Sequence, residues 1–173
     1  MIQALLDHPE VDPNLASDEG GTPLAEAICP RHQTSHSFKR VAQLVKLFLN
    51  NKNVDKTAPD HNGDTPLLHA SRSSVEILNM LLPFFEGNVW HRNKEWKTAL
   101  DIAAVSGKPD IVARLLDPSL QVMDTDLIVS NALHKAHQYY IAPHPPPTWV
   151  ECNLPEVEVA MGLLKVHLEK MRC

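Results

Sequence analysis

The most reactive residue types in the chain gather in one short segment, where Cys29, His32 and His36 stand at Cys-x2-His-x3-His spacing. A thiolate and two imidazoles are zinc donors, but zinc prefers four ligands and this set supplies three, within a polar stretch that reads as a solvated loop. Surface histidines of no special role are the competing reading. His134 and His137 form a second pair three residues apart. Without a carboxylate motif beside them they suit a solvated or packed helix face better than a metal. Cys29 or Cys152 as a nucleophile would need a general base that no spacing identifies. Gly-x-Ser-x-Gly, His-Glu-x-x-His, Gly-x-Gly-x-x-Gly and phosphate-loop patterns are all missing from the sequence. The residue types therefore nominate no catalytic group, no metal site and no cofactor. An enzyme or metal site in the C-terminal third is a less favoured alternative, and nucleic-acid binding trails it.

The bulk properties narrow the field further. A chain of 173 residues with 43% hydrophobic content and a net charge of -5 has the make-up of one soluble globular domain. Its 16 Lys plus Arg against 21 Asp plus Glu give no basic field to gather phosphates, so nucleic acid is not the expected partner. The three cysteines, Cys29, Cys152 and Cys173, are odd in number and far apart. They form neither a disulfide framework nor a CxxC pair, which suits a reducing compartment. The opening "MIQALLDHPEVD" lacks a basic region and meets charge at Asp7, unlike a signal peptide, and no run approaches 18 apolar residues. The expectation is a protein of the cytosol or nucleus with no membrane partner.

The elements that position these residues come from a repeat. Thr22, Thr65 and Thr98 stand 43 and 33 residues apart, and each precedes Pro-Leu or Ala-Leu. A period near 33 marks a repeat array. Each threonine suits an N-cap, and Pro23 and Pro66 suit the first helical position, where no donor is missed. Small residues follow (Ala25, Ala27, Ala70, Ala103, Ala104), then a second apolar helix in "VAQLVKLFL" from Val41, "VEILNMLL" from Val75 and "DIVARLL" from Asp110. The wide stripe of Leu44, Val45, Phe48 and Leu49 suits burial against helices on both sides. Turn-rich stretches of matching length, "VDPNLASDEGGT" and "VDKTAPDHNGDT", join the units. Asn62-Gly63 tolerates positive φ, so a projecting loop is expected there.

This pattern resembles the ankyrin repeat, and "KTALDIAAVSGKPDIVARLL" follows it without a gap through Gly107, Ile111, Val112, Leu115 and Leu116. The resemblance covers about residues 1 to 117. It implies an all-α, ankyrin-type helical solenoid of about three and a half repeats with projecting loops, plus a C-terminal helical cap. The expected divisions are 1–17, the second-helix half of an incomplete repeat; 18–59, a repeat with an insertion at about 30–39; 60–92 and 93–123, two further repeats; and 124–173, the cap, with a Pro-rich loop at 142–148.

The departures from the family pattern are specific. Ala25, Leu68 and Asp101 stand where the family usually carries His after Thr-Pro-Leu, so the side-chain network centred on that His is absent or rebuilt. Trp96 takes the place of the loop glycine found at Gly20 and Gly63, and contact with a partner and packing on its own chain are both open to it. Trp90 could pack against the neighbouring unit.

In the C-terminal third, Thr125-Asp126-Leu127 could open a degenerate fourth helix pair, with Val129, Leu133, Ala136 and Tyr140 on one face. "APHPPPTW" breaks helix and reads as a connector, with a docking site for a proline-reading domain as the other reading. Asn153 and Glu156 suit a capping box. Val157, Ala160, Met161, Leu164, Leu168 and Met171 form an apolar stripe that suits capping the stack, with partner docking as its alternative.

The resemblance implies a non-catalytic scaffold that binds a partner protein through the loops and the concave face of the first helices. Carried onto this chain, those positions are His61, Asn62, Asp64 and Arg72 in the second unit and Lys94, Glu95, Trp96, Lys97 and Val105 in the third. Ser73 and Ser106 flank them, and the first unit offers Asp18, Glu19 and Cys29. Arg92, Lys94 and Lys97 oppose an acidic first loop, a polarity that would orient a partner. The alternative is a regulatory or substrate-recruiting fragment of a larger signalling protein, motivated by the half repeat at Met1. A monomer is expected, or weak self-association through that incomplete repeat.

Overall fold

The computed structural model describes residues 2–6, 8–18, 20–29, 38–120, 125–141 and 154–171. It divides into two compact units, Met1–Trp96 and Lys97–Cys173.

The first unit holds α1 (Ile2–Leu6), α2 (Pro23–Ile28), α3 (Phe38–Asn50), α4 (Pro66–Ala70) and α5 (Val75–Leu81), and a 3-10 turn, Leu82–Phe84, follows the last. Thr22 and Thr65 start α2 and α4 as expected. Their hydroxyls accept the backbone N–H groups of Ala25 and Leu68 at 3.3 and 3.4 Å, and a proline fills the next position in each. Ser74 caps α5 in the same way through the N–H of Ile77. Helix α3 begins at Phe38, earlier than the apolar pattern from Val41 suggests, so the last two residues of the expected insertion are already helical. Residues 30–37 lie outside the described set, and His32 and His36 with them.

α2 packs on α3 and α4 packs on α5, while α2 meets α4 and α3 meets α5, so two helix hairpins stack first helix on first and second on second. Leu24, Ile28, Val45, Leu67, Leu68, Ile77, Leu78 and Leu81 are closed to solvent between them. Full burial of one such side chain is worth about 1.5 to 3 kcal/mol, which makes the stacked interface rather than the propensity of five- to seven-residue helices the source of order.

The second unit pairs α6 (Ala99–Val105) with α7 (Pro109–Leu115) and, after a 3-10 turn at Pro118–Leu120, α8 (Thr125–Ile141) with α9 (Leu154–Met171). α6 packs on α8 and α7 on α9, and the long helices α8 and α9 pack on each other. They form the degenerate further pair expected from Thr125, longer than the others. Ala103, Ala132, Ala136 and Ala160 are fully buried, and their size allows the close approach. Val157, Met161 and Leu164 on α9 are buried as the stripe predicts. The 142–148 loop, Asn153 and the side chains of Tyr140 and Met171 fall outside the described set. No described helix is long and apolar enough to cross a membrane.

The position after Thr-Leu in the second unit shows how the missing histidine is replaced. Asp101, 1% exposed, completes a capping box with Thr98 and receives the Lys135 ammonium of α8 at 2.9 Å. A buried carboxylate is held by a cation from the neighbouring helix pair, where the family places an imidazole.

Candidate functional site

Three loops of the first unit share one construction. The chain folds back at Ser17–Gly20, Asp60–Gly63 and Asn93–Trp96, and each turn closes with the N–H of its last residue on the carbonyl of its first, at 2.8, 2.9 and 2.9 Å. The closing residue needs a left-handed backbone, with φ of 78° at Gly20, 77° at Gly63 and 57° at Trp96. Glycine adopts that conformation without penalty, whereas a side chain with a Cβ meets the neighbouring carbonyl. Among the described residues Trp96 alone adopts it without being glycine. It does so while 71% exposed, so contact with solvent, not packing on its own chain, accounts for most of its surface.

The second and third loops are stitched together. The Lys94 N–H donates to the carbonyl of Asn62 at 2.9 Å, and the His91 ring bonds the Gly63 carbonyl at 3.1 Å. Asn93 is buried. Its amide donates to Asp64 at 2.6 Å, and its carbonyl oxygen accepts the N–H of Glu95 at 3.0 Å. The backbone of Gly63 runs so close that an added Cβ would lie 3.1 Å from the Lys94 nitrogen.

The residues predicted to face a partner divide into two groups. His61, Asn62, Lys94, Glu95 and Trp96 are exposed along the paired loops. Asp64 is not: it is 4% exposed, with one oxygen on Asn93 and the other receiving Arg72 Nη1 at 2.9 Å. Asp64 and the half-buried Arg72 therefore hold the loops in place. Lys97 and Val105 belong to the second unit, half-exposed at either end of α6, as is Ser106 just beyond it. Ser73 is half-buried after α4 and Asp18 is exposed in the first loop, while Glu19 is outside the described set. The Trp90 ring is half-buried, with its indole N–H buried and unbonded.

Beneath the second loop lies a group that sequence reasoning did not anticipate. His69, one residue past the usual histidine position, is 7% exposed and its Nε2 is 3.2 Å from Asp60 Oδ2. Asp60 Oδ1 accepts the N–H groups of Asn62 and Asp64 at 2.8 and 2.9 Å. Burial draws the imidazole pKa down, but Asp60, the Cys29 thiol and the charge of Asp64 outweigh it and raise the value to about 9. Burial also draws the Asp60 carboxyl up, yet the bonds from His69, Asp64 and Asn62 hold it below the usual range. The cue available in the sequence was the shift of His by one position in "TPLLHAS".

Donor atoms of Asp60, Asp64 and His69 lie within 4.8 Å of one another. Their types would suit a cation, but the Arg72 guanidinium already supplies positive charge to Asp64, and Asp60 is committed to His69 and the loop backbone. The cluster already forms an internal ion-pair network. Of the Cys29, His32 and His36 weighed as zinc donors only Cys29 is described, and it lies near His69. His134 and His137 are both exposed on α8.

A family model for ankyrin repeats, in three copies, matches residues 32–126. The chain belongs to the ankyrin repeat family, and its fold class is all-α of the ankyrin type. Ankyrin repeats are in general protein–protein interaction modules and are typically non-catalytic. No curated protein matches the chain.

Proposed function

We propose that the chain is a non-catalytic scaffold that grips a partner protein with the paired second and third loops of its first unit. His61, Asn62, Lys94, Glu95 and Trp96 are the contacts, and Asp64, Arg72 and Asn93 hold them in register. Lys97 and Val105 are separate candidate contacts within the second unit. The observation that carries this reading is Trp96, a large aromatic exposed on a backbone conformation it adopts at a cost. Exposed aromatics of this kind anchor interfaces, and truncating a central one typically costs about 2 kcal/mol or more of binding. The acidic balance of the chain supports a protein rather than a nucleic acid as the partner. Its sparse cysteines support the cytosol or nucleus, and we take the protein to be a monomer or weakly self-associating.

The test is affinity capture from native lysate with the whole chain beside a Lys94→Ala, Trp96→Gly variant of equal helix content. A protein retained by the first and lost by the second supports the loop surface. Retention of the same proteins by both variants refutes it.

A further inference from the structure

Helix α9 carries two apolar stripes. The one formed by Val157, Ala160, Met161 and Leu164 is buried within its own unit. The other runs along the opposite side, where Val159 is 55% exposed, Val166 is 49% exposed and the exposed Gly162 lies between them. These three stand at i, i+3 and i+7, the spacing of a seam between two paired helices. The glycine is a separate observation. Glycine weakens a helix interior more than any residue but proline, and its use is to let another backbone approach closely. At Gly107 a Cβ would press on Val157 of α9 at 3.1 Å, so that glycine serves the packing of the chain itself. At Gly162 a Cβ would meet no described atom within 4 Å. The described fold gives Gly162 no steric reason, whereas a second helix laid across the stripe does.

The charges beside the stripe select the partner. Glu158 and Lys165 each precede a stripe valine by one residue, about 100° around the helix, so both lie on one border of it. Both are exposed. When two identical helices pair antiparallel about a two-fold axis, each border faces its own copy with the direction reversed. Centred near Gly162, that reversal sets Glu158 of each chain against Lys165 of the other. A parallel pair would instead bring the acidic turn of Glu156 and Glu158 beside its own copy, a like-charge arrangement that is disfavoured. Glu158 also interacts within its own chain, and a carboxylate accepts more than one donor.

We propose that the chain pairs with a second copy of itself through this outer face of α9, the two helices antiparallel and crossing at Gly162. Val159 and Val166 of both copies close over the crossing, and Glu158 and Lys165 bridge it along one side. The patch spans only about two helical turns, below the size of a standard stable interface, so the dissociation constant is on the order of 100 µM. The pairing makes no use of His61, Lys94 or Trp96, so it and the loop surface can fail independently.

Sedimentation velocity of the intact chain from about 5 µM to about 1 mM spans that constant. The unaltered chain is expected to shift from monomer toward dimer across the range. Glu158→Lys and Lys165→Glu each turn two attractions into two repulsions, and each is expected to weaken association at least about tenfold. Mixed in equal amounts, the two variants present opposite charges to one another at both positions, and the mixture is expected to associate within about threefold of the unaltered chain. Val159→Gln together with Val166→Gln, on a face the fold leaves exposed, is expected to stay monomeric. Circular dichroism checks that each variant is folded. An unaltered chain that is monomeric at every concentration overturns the proposal. So does a dimer that survives the paired valine changes, which would place self-association on another surface such as the exposed Ile2 and Leu5 of α1. Folded charge variants that remain apart on mixing overturn the antiparallel arrangement and the proposal with it.

Discussion

Replacing Trp96 by glycine and, separately, by alanine tests whether its left-handed backbone is a cost the fold carries. Both substitutions remove the indole, so the contact made by its covered minority of surface, about 1 to 2 kcal/mol at the usual area coefficient, is lost equally from each. What differs is the Cβ. At a φ of 57° alanine keeps the clash that disfavours left-handed geometry, about 1 to 2 kcal/mol, and glycine relieves it. Glycine in turn gives up about 0.5 to 1 kcal/mol through the greater freedom of its unfolded chain. The balance favours Trp96→Gly over Trp96→Ala by about 0.5 to 1 kcal/mol, the reverse of the order at ordinary helical or extended positions. Urea unfolding followed by circular dichroism at 222 nm (a far-ultraviolet signal that does not rely on the deleted fluorophore) measures the difference, which corresponds to about 1 to 4 °C in Tm for a chain of this size. Equal stabilities, or alanine above glycine, would show that the turn relaxes to a conformation any residue can adopt, and the argument that Trp96 is held there for contact would fail.

Lys135→Met strands the buried Asp101 carboxylate with only its capping contacts. The loss is about 3 kcal/mol, lowered somewhat because the lysine is part-exposed, and Asp101→Asn in the same chain should recover part of it. Urea midpoints of the two variants check this, and a single-variant loss below about 0.5 kcal/mol would contradict the ion-pair account. For His69, the folded pKa of about 9 lies above the ordinary imidazole value of 6.5, so its stabilisation is complete below pH 6.5 and is lost as pH rises through 9. The full effect is of the order of 3 kcal/mol, and His69→Gln should flatten the decline in urea midpoint between pH 6 and 9; parallel curves would refute it. Gly63→Ala combines positive φ with a Cβ pressed on the Lys94 backbone, and should cost about 2 kcal/mol or more by thermal unfolding, against little change at an exposed helical site.

The repeat was legible because its signals are local. Thr22, Thr65 and Thr98 cap the helices they precede, and Pro23 and Pro66 sit where a missing N–H costs nothing, so the position of each first helix follows from two adjacent residues. The exposed row His61, Asn62, Lys94, Glu95 was legible for the same reason, since it follows from distance to the threonine. The internal bond of Asp64 was not legible because its partner Asn93 is 29 residues away, and only the stacking of one loop on the next brings them together. The proximity of Cys29 to His69 escaped notice on the same ground, the two being 40 residues apart with no spacing rule to connect them.

The departures from the family pattern are better understood as relocations of charge than as losses. The apolar Leu68 is fully buried where the family carries histidine, and the imidazole moves to the next residue, which lies about 100° further around α4. There it reaches Asp60 at the base of the loop and lies near Cys29 of the preceding repeat. In the second unit Asp101 occupies the usual position and recruits Lys135, so its charge is paired from a neighbouring helix pair. Both solutions tie successive repeats together through a buried charge, and a buried charge punishes any displacement that leaves it unpaired. The paired loops that carry His61, Asn62 and Lys94 are therefore fixed from below, through Asp60, Asp64 and Asn93. A loop fixed in that way can carry an aromatic in a costly backbone conformation at its tip without relaxing, which is the condition Trp96 requires.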